Sequence, residues 1–183
     1  MLNEEQKKMV LSVARESVEK AAHGVSYTPA EVDDEILKQK TGAFVTLYKA
    51  NGDLRGCIGY ITPEYPMLSA VAQVARAAAL NDPRFKPLRE EELEGLKIDI
   101  SLLAEPVVVN DINEIEIGRD GLIISKGSRR GLLLPQVATK YGWSREEFLA
   151  QTCRKAHLPS NEWKKEGTLI EMFSAEVFGE TEE

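Results

Sequence analysis

The sequence predicts helices together with antiparallel strands, and three observations carry that reading. Asn51-Gly52 stands between two apolar, β-branched runs, residues 41–48 and 54–60. That is the strongest short-range signal for a β-hairpin. Residues 97–104 alternate, with Ile98, Ile100 and Leu102 on one face and Lys97, Asp99 and Ser101 on the other, as a half-buried strand does. Apolar residues recur at helical spacing in three places: from Val10 to Ala21, from Met67 to Ala78, and from Phe148 to Ala156.

A chain of 183 residues is one domain, or one domain with a sizeable inserted lobe. Its hydrophobic content of 43% supplies a core without disulfides, and two Cys make no disulfide framework. A reducing cytoplasm is therefore expected. No apolar run approaches a membrane span, and the polar start Met1-Leu2-Asn3-Glu4-Glu5 does not read as a signal peptide. The net charge of -7 argues against bulk attraction to nucleic acid. Residues 119–167, however, hold 10 Lys and Arg against 5 Asp and Glu, a basic block on an acidic body. Such a block suits an anionic ligand or an acidic partner, or is a solvated surface.

Taken in order, Asn3 with Gln6 forms a capping box for the first helix, and Gly24 stops it with His23 at its end. Residues 25–40 read as loop with one short acidic helix after Pro29. The hairpin follows, then a break at Thr62-Pro63-Glu64-Tyr65-Pro66 and the helix that starts at Met67. The small residues Ala75, Ala77, Ala78 and Ala79 let this helix dock closely on a glycine-bearing strand. Asn81-Asp82-Pro83-Arg84-Phe85 reads as a turn anchored by Phe85, and residues 90–94 as a short acidic helix. Gly118-Arg119-Asp120-Gly121 turns into a strand; residues 126–131 read as a hairpin connection and Leu132-Leu133-Leu134 as the returning strand. Pro135 starts a helix whose amides, beside Arg129 and Arg130, suit an anion. Ser144 and Glu147 form a second capping box. Cys153 and His157, four apart, share a helical face, but two Cys and two His fall short of a tetrahedral metal set, so no metal site is expected. Trp163 caps the core, and residues 169–178 form a strand before an acidic tail.

The candidate site is Leu54-Arg55-Gly56-Cys57-Ile58-Gly59. Strict alternation along a strand puts Arg55, Cys57 and Gly59 on one face. An arginine two residues from a cysteine stabilises the thiolate, the nucleophilic form. Glycines inside a strand mark a bulge or a close backbone approach. The stretch reads either as a thiolate or anion site open to a ligand, or as a small buried Cys with glycines that let a helix pack closely.

These stretches, together with Gly131-Leu132-Leu133-Leu134-Pro135-Gln136-Val137-Ala138 and Cys153-Arg154-Lys155-Ala156, occur in an order that closely resembles the AMMECR family, called AmmeMemoRadiSam system protein A in microbes. The resemblance covers about residues 5–179, and the six residues 54–59 are the family signature. Many relatives have His where Asp120 stands here; position 120 reads as a turn residue. The resemblance implies an α+β fold in two lobes, with an antiparallel sheet flanked by helices. The larger lobe would hold about residues 1–105 and 166–183, the smaller basic lobe about 106–165, with a site in the cleft between them. It implies association with a Memo-like protein and a radical-SAM protein, and it supplies no reaction and no cofactor.

Three functions are weighed. The first is a binding or partner module, with Arg55, Gly56, Cys57, Gly59, Arg84, Arg129 and Arg130 receiving a small-molecule or anionic ligand. The second is an enzyme or enzyme component with Cys57 as nucleophile and Arg55 holding its thiolate or a substrate anion. The third is nucleic-acid binding through the basic lobe. The first is preferred, because the sequence shows no complete catalytic set.

Overall fold

The structure, a computed structural model, describes residues 1–180. They fall into two compact units: Met1–Leu103 with the chain from Glu176 onward, and Ala104–Ala175. Each combines α-helices with antiparallel strands, so the fold is α+β. The acidic tail predicted after the last strand lies, from residue 181 on, outside the described residues.

In the first unit, helix α1 (Glu4–Ala22) starts at the predicted capping box. The Asn3 side chain accepts from the Gln6 amide at 2.8 Å, and the Gln6 side chain accepts from the Asn3 amide at 2.9 Å. Its buried stripe of Val10, Val13, Ala14, Ser17, Val18 and Ala21 packs on α2 (Met67–Leu80). Strands β1 (Gly42–Tyr48) and β2 (Leu54–Tyr60) form the predicted hairpin. The connection spans residues 49–53, with Gly52 at φ 86°, a conformation that favours glycine. β1 pairs on its other side with β3 (Lys97–Leu103), which lies beside the last part of β7 (Leu169–Gly179). β2 is therefore an edge strand.

Two expected helices differ. Residues 35–38 form a single turn instead of an acidic helix: the Asp34 carboxylate caps it by accepting from the Ile36 and Leu37 amides, and the Lys38 amide donates to the Asp34 carbonyl at 3.1 Å, but no second turn follows. The second is a single 3-10 turn, Glu90–Glu92, shorter than the 90–94 helix expected.

The second unit holds β4 (Val107–Val108), β5 (Asp120–Lys126), β6 (Arg129–Leu133), α3 (Pro135–Tyr141) and α4 (Arg145–Lys155), with the first part of β7 between β4 and β5. Its core gathers Ile115, Leu122, Ile124, Phe148, Leu149 and Cys153, with Trp163 half-buried against it as expected. Asp120 closes its turn: the buried carboxylate accepts from the Glu116 amide at 2.8 Å and from the Arg119 guanidinium at 2.6 Å. Arg129 and Arg130 are the first residues of β6, not part of a loop, because Gly127 at φ 58° turns the chain within two residues. The predicted face shared by Cys153 and His157 does not form. α4 ends at Lys155, and His157 takes a left-handed conformation at φ 57°.

No helix among the described residues is long and apolar enough to cross a membrane. Helix α2 packs directly on β2 at Gly56: an added Cβ would stand 2.2 Å from the Ala78 carbonyl oxygen. Gly56→Ala is therefore expected to cost about 1–3 kcal/mol. Urea unfolding checks it, and a stability equal to the parent chain's would contradict this packing.

Candidate functional site

The site residues are set by one irregularity in the hairpin. Leu47 pairs with Gly56 but Tyr48 pairs with Leu54, so Arg55 has no cross-strand partner. An extra residue of this kind interrupts alternation and redirects a side chain. Gly56 opposes Leu47 and meets α2, whereas Cys57 opposes Thr46 and Gly59 opposes Phe44. Cys57 and Gly59 share a face, as read from the sequence. The expected partnership of Arg55 with the Cys57 thiolate is not what forms.

The Arg55 guanidinium is buried and held side-on by Glu92. Nε donates to Oε1 at 2.7 Å and Nη2 to Oε2 at 3.0 Å; Nη2 also donates to the Lys86 carbonyl at 3.0 Å. Its carbon lies 5.7 Å from the centre of the Phe85 ring. The bidentate pair holds the Glu92 carboxyl down to about 2, with the Arg89 amide as a further donor.

Cys57 is partly exposed. Its sulfur accepts a hydrogen bond from the Thr46 hydroxyl at 3.2 Å. Its backbone amide, which faces outward from the edge strand, donates to Asp82 Oδ2 at 2.9 Å. Asp82 is buried and saturated: it also accepts from the Arg84 amide at 3.0 Å, Arg84 Nε at 2.9 Å and Arg84 Nη2 at 2.7 Å. Arg84's hydrogen bonds, against the cost of burial, hold this carboxyl far below the usual carboxylate range. The Arg84 side chain keeps 55% exposure, stacks on Phe85 at 5.6 Å and interacts electrostatically with Cys57. The cation beside Cys57 is thus Arg84, contributed by the loop after α2, which the sequence reading placed in an anchoring turn. The sequence reading named Arg84 among the ligand-binding residues but not its pairing with Asp82, whose spacing suits an aspartate side chain closing its own turn.

The two glycines make room for protein rather than for a ligand. The space at Gly56 is filled by the Ala78 carbonyl, and a Cβ at Gly59 would stand 2.2 Å from the Phe44 ring. Arg129 and Arg130 belong to the second unit. Arg129 donates to the His157 carbonyl at 2.9 Å, and Arg130 lies 3.8 Å from Glu171. They occupy the start of β6, six and five residues before the α3 start at Pro135. Much of the basic block is engaged within its own unit: Lys126 and Lys165 meet Glu162 at 2.6 Å and 2.8 Å, Arg119 meets Asp120, and Arg145 donates to the Ile115 carbonyl. Among the described residues, no three His, Cys, Asp or Glu side chains gather as a metal set.

The pairing has a pH signature. Glu92 titrates lower in the folded chain than in the unfolded one, so its pairing stabilises above about pH 4.5 and is lost as pH falls toward 2. Glu92→Gln leaves a buried guanidinium half-paired and is expected to cost about 1–3 kcal/mol at pH 7, discounted for the partial exposure of Glu92. Unfolding of the two proteins from pH 7 to pH 2 checks it: the difference should shrink on the acid side, and a pH-independent difference would contradict it.

A family model described as AMMECR1 matches residues 11–178. Protein TK0174 of Thermococcus kodakarensis is 42% identical over 189 residues, covering 98% of this chain and 92% of its own. Protein MJ0810 of Methanocaldococcus jannaschii is 44% identical over 155 residues, covering 81% of this chain and 77% of its own. The crystal structure of uncharacterized protein PH0010 from Pyrococcus horikoshii, 39% identical, matches with a TM-score of 0.90 over 98% of this chain and 94% of that one. With most of its length matched by the family model, and relatives this similar along nearly all of it, the chain belongs to the AMMECR1 family.

Proposed function

We propose that this chain is a binding module, which receives a small ligand or a partner segment on the surface formed by Cys57, Thr46 and Arg84. The observation that carries this reading is the clamp at Asp82. One buried carboxylate fixes both the backbone under the thiol and the Arg84 guanidinium, leaving Cys57 and the Arg84 side chain partly exposed in a set geometry. A pre-set donor beside a small polar group is what recognition requires. A cysteine nucleophile also needs a base to take its proton. Asp82 does not fill that role, since its oxygens are saturated and its carboxyl stays ionised. Memo-like and radical-SAM proteins, which the sequence resemblance names, are the first partners to try. The internal pairing in the basic block counts against nucleic acid.

The nucleophile reading keeps one observation in its favour, the anchoring of the Cys57 amide and the Arg84 guanidinium on the same Asp82 oxygen. A thiol reagent distinguishes the two cysteines of the folded chain. Cys57 should be alkylated under native conditions and buried Cys153 only on unfolding; protection of both would remove the proposed surface. A pull-down with a Memo-like protein tests the partner role. Capture that Arg84→Glu abolishes supports it, and no complex at about micromolar concentration counts against it.

A further inference from the structure

The far side of the Phe85 ring system holds a second feature that the Cys57 surface does not use. A recess of about 550 Å³ is lined by Arg55, Phe85, Lys86, Pro87, Arg89 and Glu92. A guanidinium carries five N–H donors in a fixed fork. In Arg55, Nε and Nη2 are taken by Glu92 and the Lys86 carbonyl, while Nη1 is buried without a partner. Leaving a buried charged donor unpaired is costly, and an acceptor oxygen recovers that cost. The wall carries three cationic side chains, Arg55, Lys86 and Arg89, against the one carboxylate of Glu92, which Arg55 already binds. Lys86 and Arg89 are exposed, and Arg89 has only a loose contact with Glu91 at 3.9 Å.

We propose that this recess binds a phosphoryl group, with the unpaired Nη1 of Arg55 as its buried contact and Lys86 and Arg89 as its outer cations. A compact, doubly charged oxyanion matches an excess of cations and an unpaired guanidinium donor better than a monoanion does. Nη1 has no solvent access in this state, so the ligand enters as the exposed Lys86 chain or the half-buried Phe85 ring turns aside. Glu92 holds Nε and Nη2 of the guanidinium and leaves Nη1 for an incoming oxygen. The site uses neither Cys57 nor Arg84, so it stands or falls separately from the surface proposed above.

The test uses the full chain in low-salt buffer, titrated by calorimetry with inorganic phosphate and with glycerol 3-phosphate, and with acetate as the control anion. Saturable binding of a phosphoryl compound, with acetate at least about tenfold weaker, is expected. Binding of both compounds assigns free phosphate as sufficient; binding of the ester alone assigns a phosphorylated metabolite or segment. Lys86→Ala with Arg89→Ala, two exposed positions, should weaken binding about tenfold with the melting temperature of the unliganded chain unchanged. Arg55→Lys, which keeps the charge and loses the fork, should abolish it; if that variant does not fold, the double variant decides. Cys57→Ser should bind as the parent chain does. No saturable binding of either phosphoryl compound up to about 10 mM, or equal binding by the double variant, overturns the proposal.

Discussion

The structure around the signature stretch depends on how an exposed sheet edge is covered. β2 ends the sheet of the first unit, and an uncovered edge presents unpaired amides to any passing strand. Here the segment after α2 covers it with two carboxylate clamps that run in opposite directions. Asp82, from the loop, accepts the outward amide of Cys57; Arg55, from the strand, reaches out to Glu92 in the loop. Phe85 stacks under both arginines between them. Remove either clamp and a buried charge is stranded, which is far more costly than losing a surface pair.

This arrangement separates tasks that a one-dimensional reading had merged. Gly56 exists so that α2 can lie on the strand, and Gly59 leaves room for the Phe44 ring. Arg55 ties strand to loop, and Cys57 and Arg84 stay partly exposed. A signature that reads as one motif is therefore a packing device, a clamp and a surface in six consecutive residues. Its compactness follows from a strand that faces a helix on one side, a loop along its edge and a second face beyond.

Much of the architecture was legible because it is written in local chemistry. Both capping boxes, the Asn-Gly hairpin, the alternation of β3 and the small-residue face of α2 each follow from contacts within a few residues. The errors arose where a local signal had a competitor. The helix capped by Asp34 closed one turn and went no further, and the two-residue turn at Gly127 drew Arg129 and Arg130 into a strand. α4 stopped two residues before His157, which separated it from the Cys153 face.

By itself the sequence determined the family, the mixed helix-and-strand class and the stretch that matters, since periodicity, caps and motif order are properties of the chain alone. The tertiary structure decided which arginine stands beside the thiol. Perfect alternation from residue 54 to residue 59 would have paired Arg55 with Cys57, but one unpaired residue in the register turned it toward Glu92, and a loop 27 residues further on supplied Arg84 instead. Register and loop docking are set by contacts distant in sequence, so no local pattern records them.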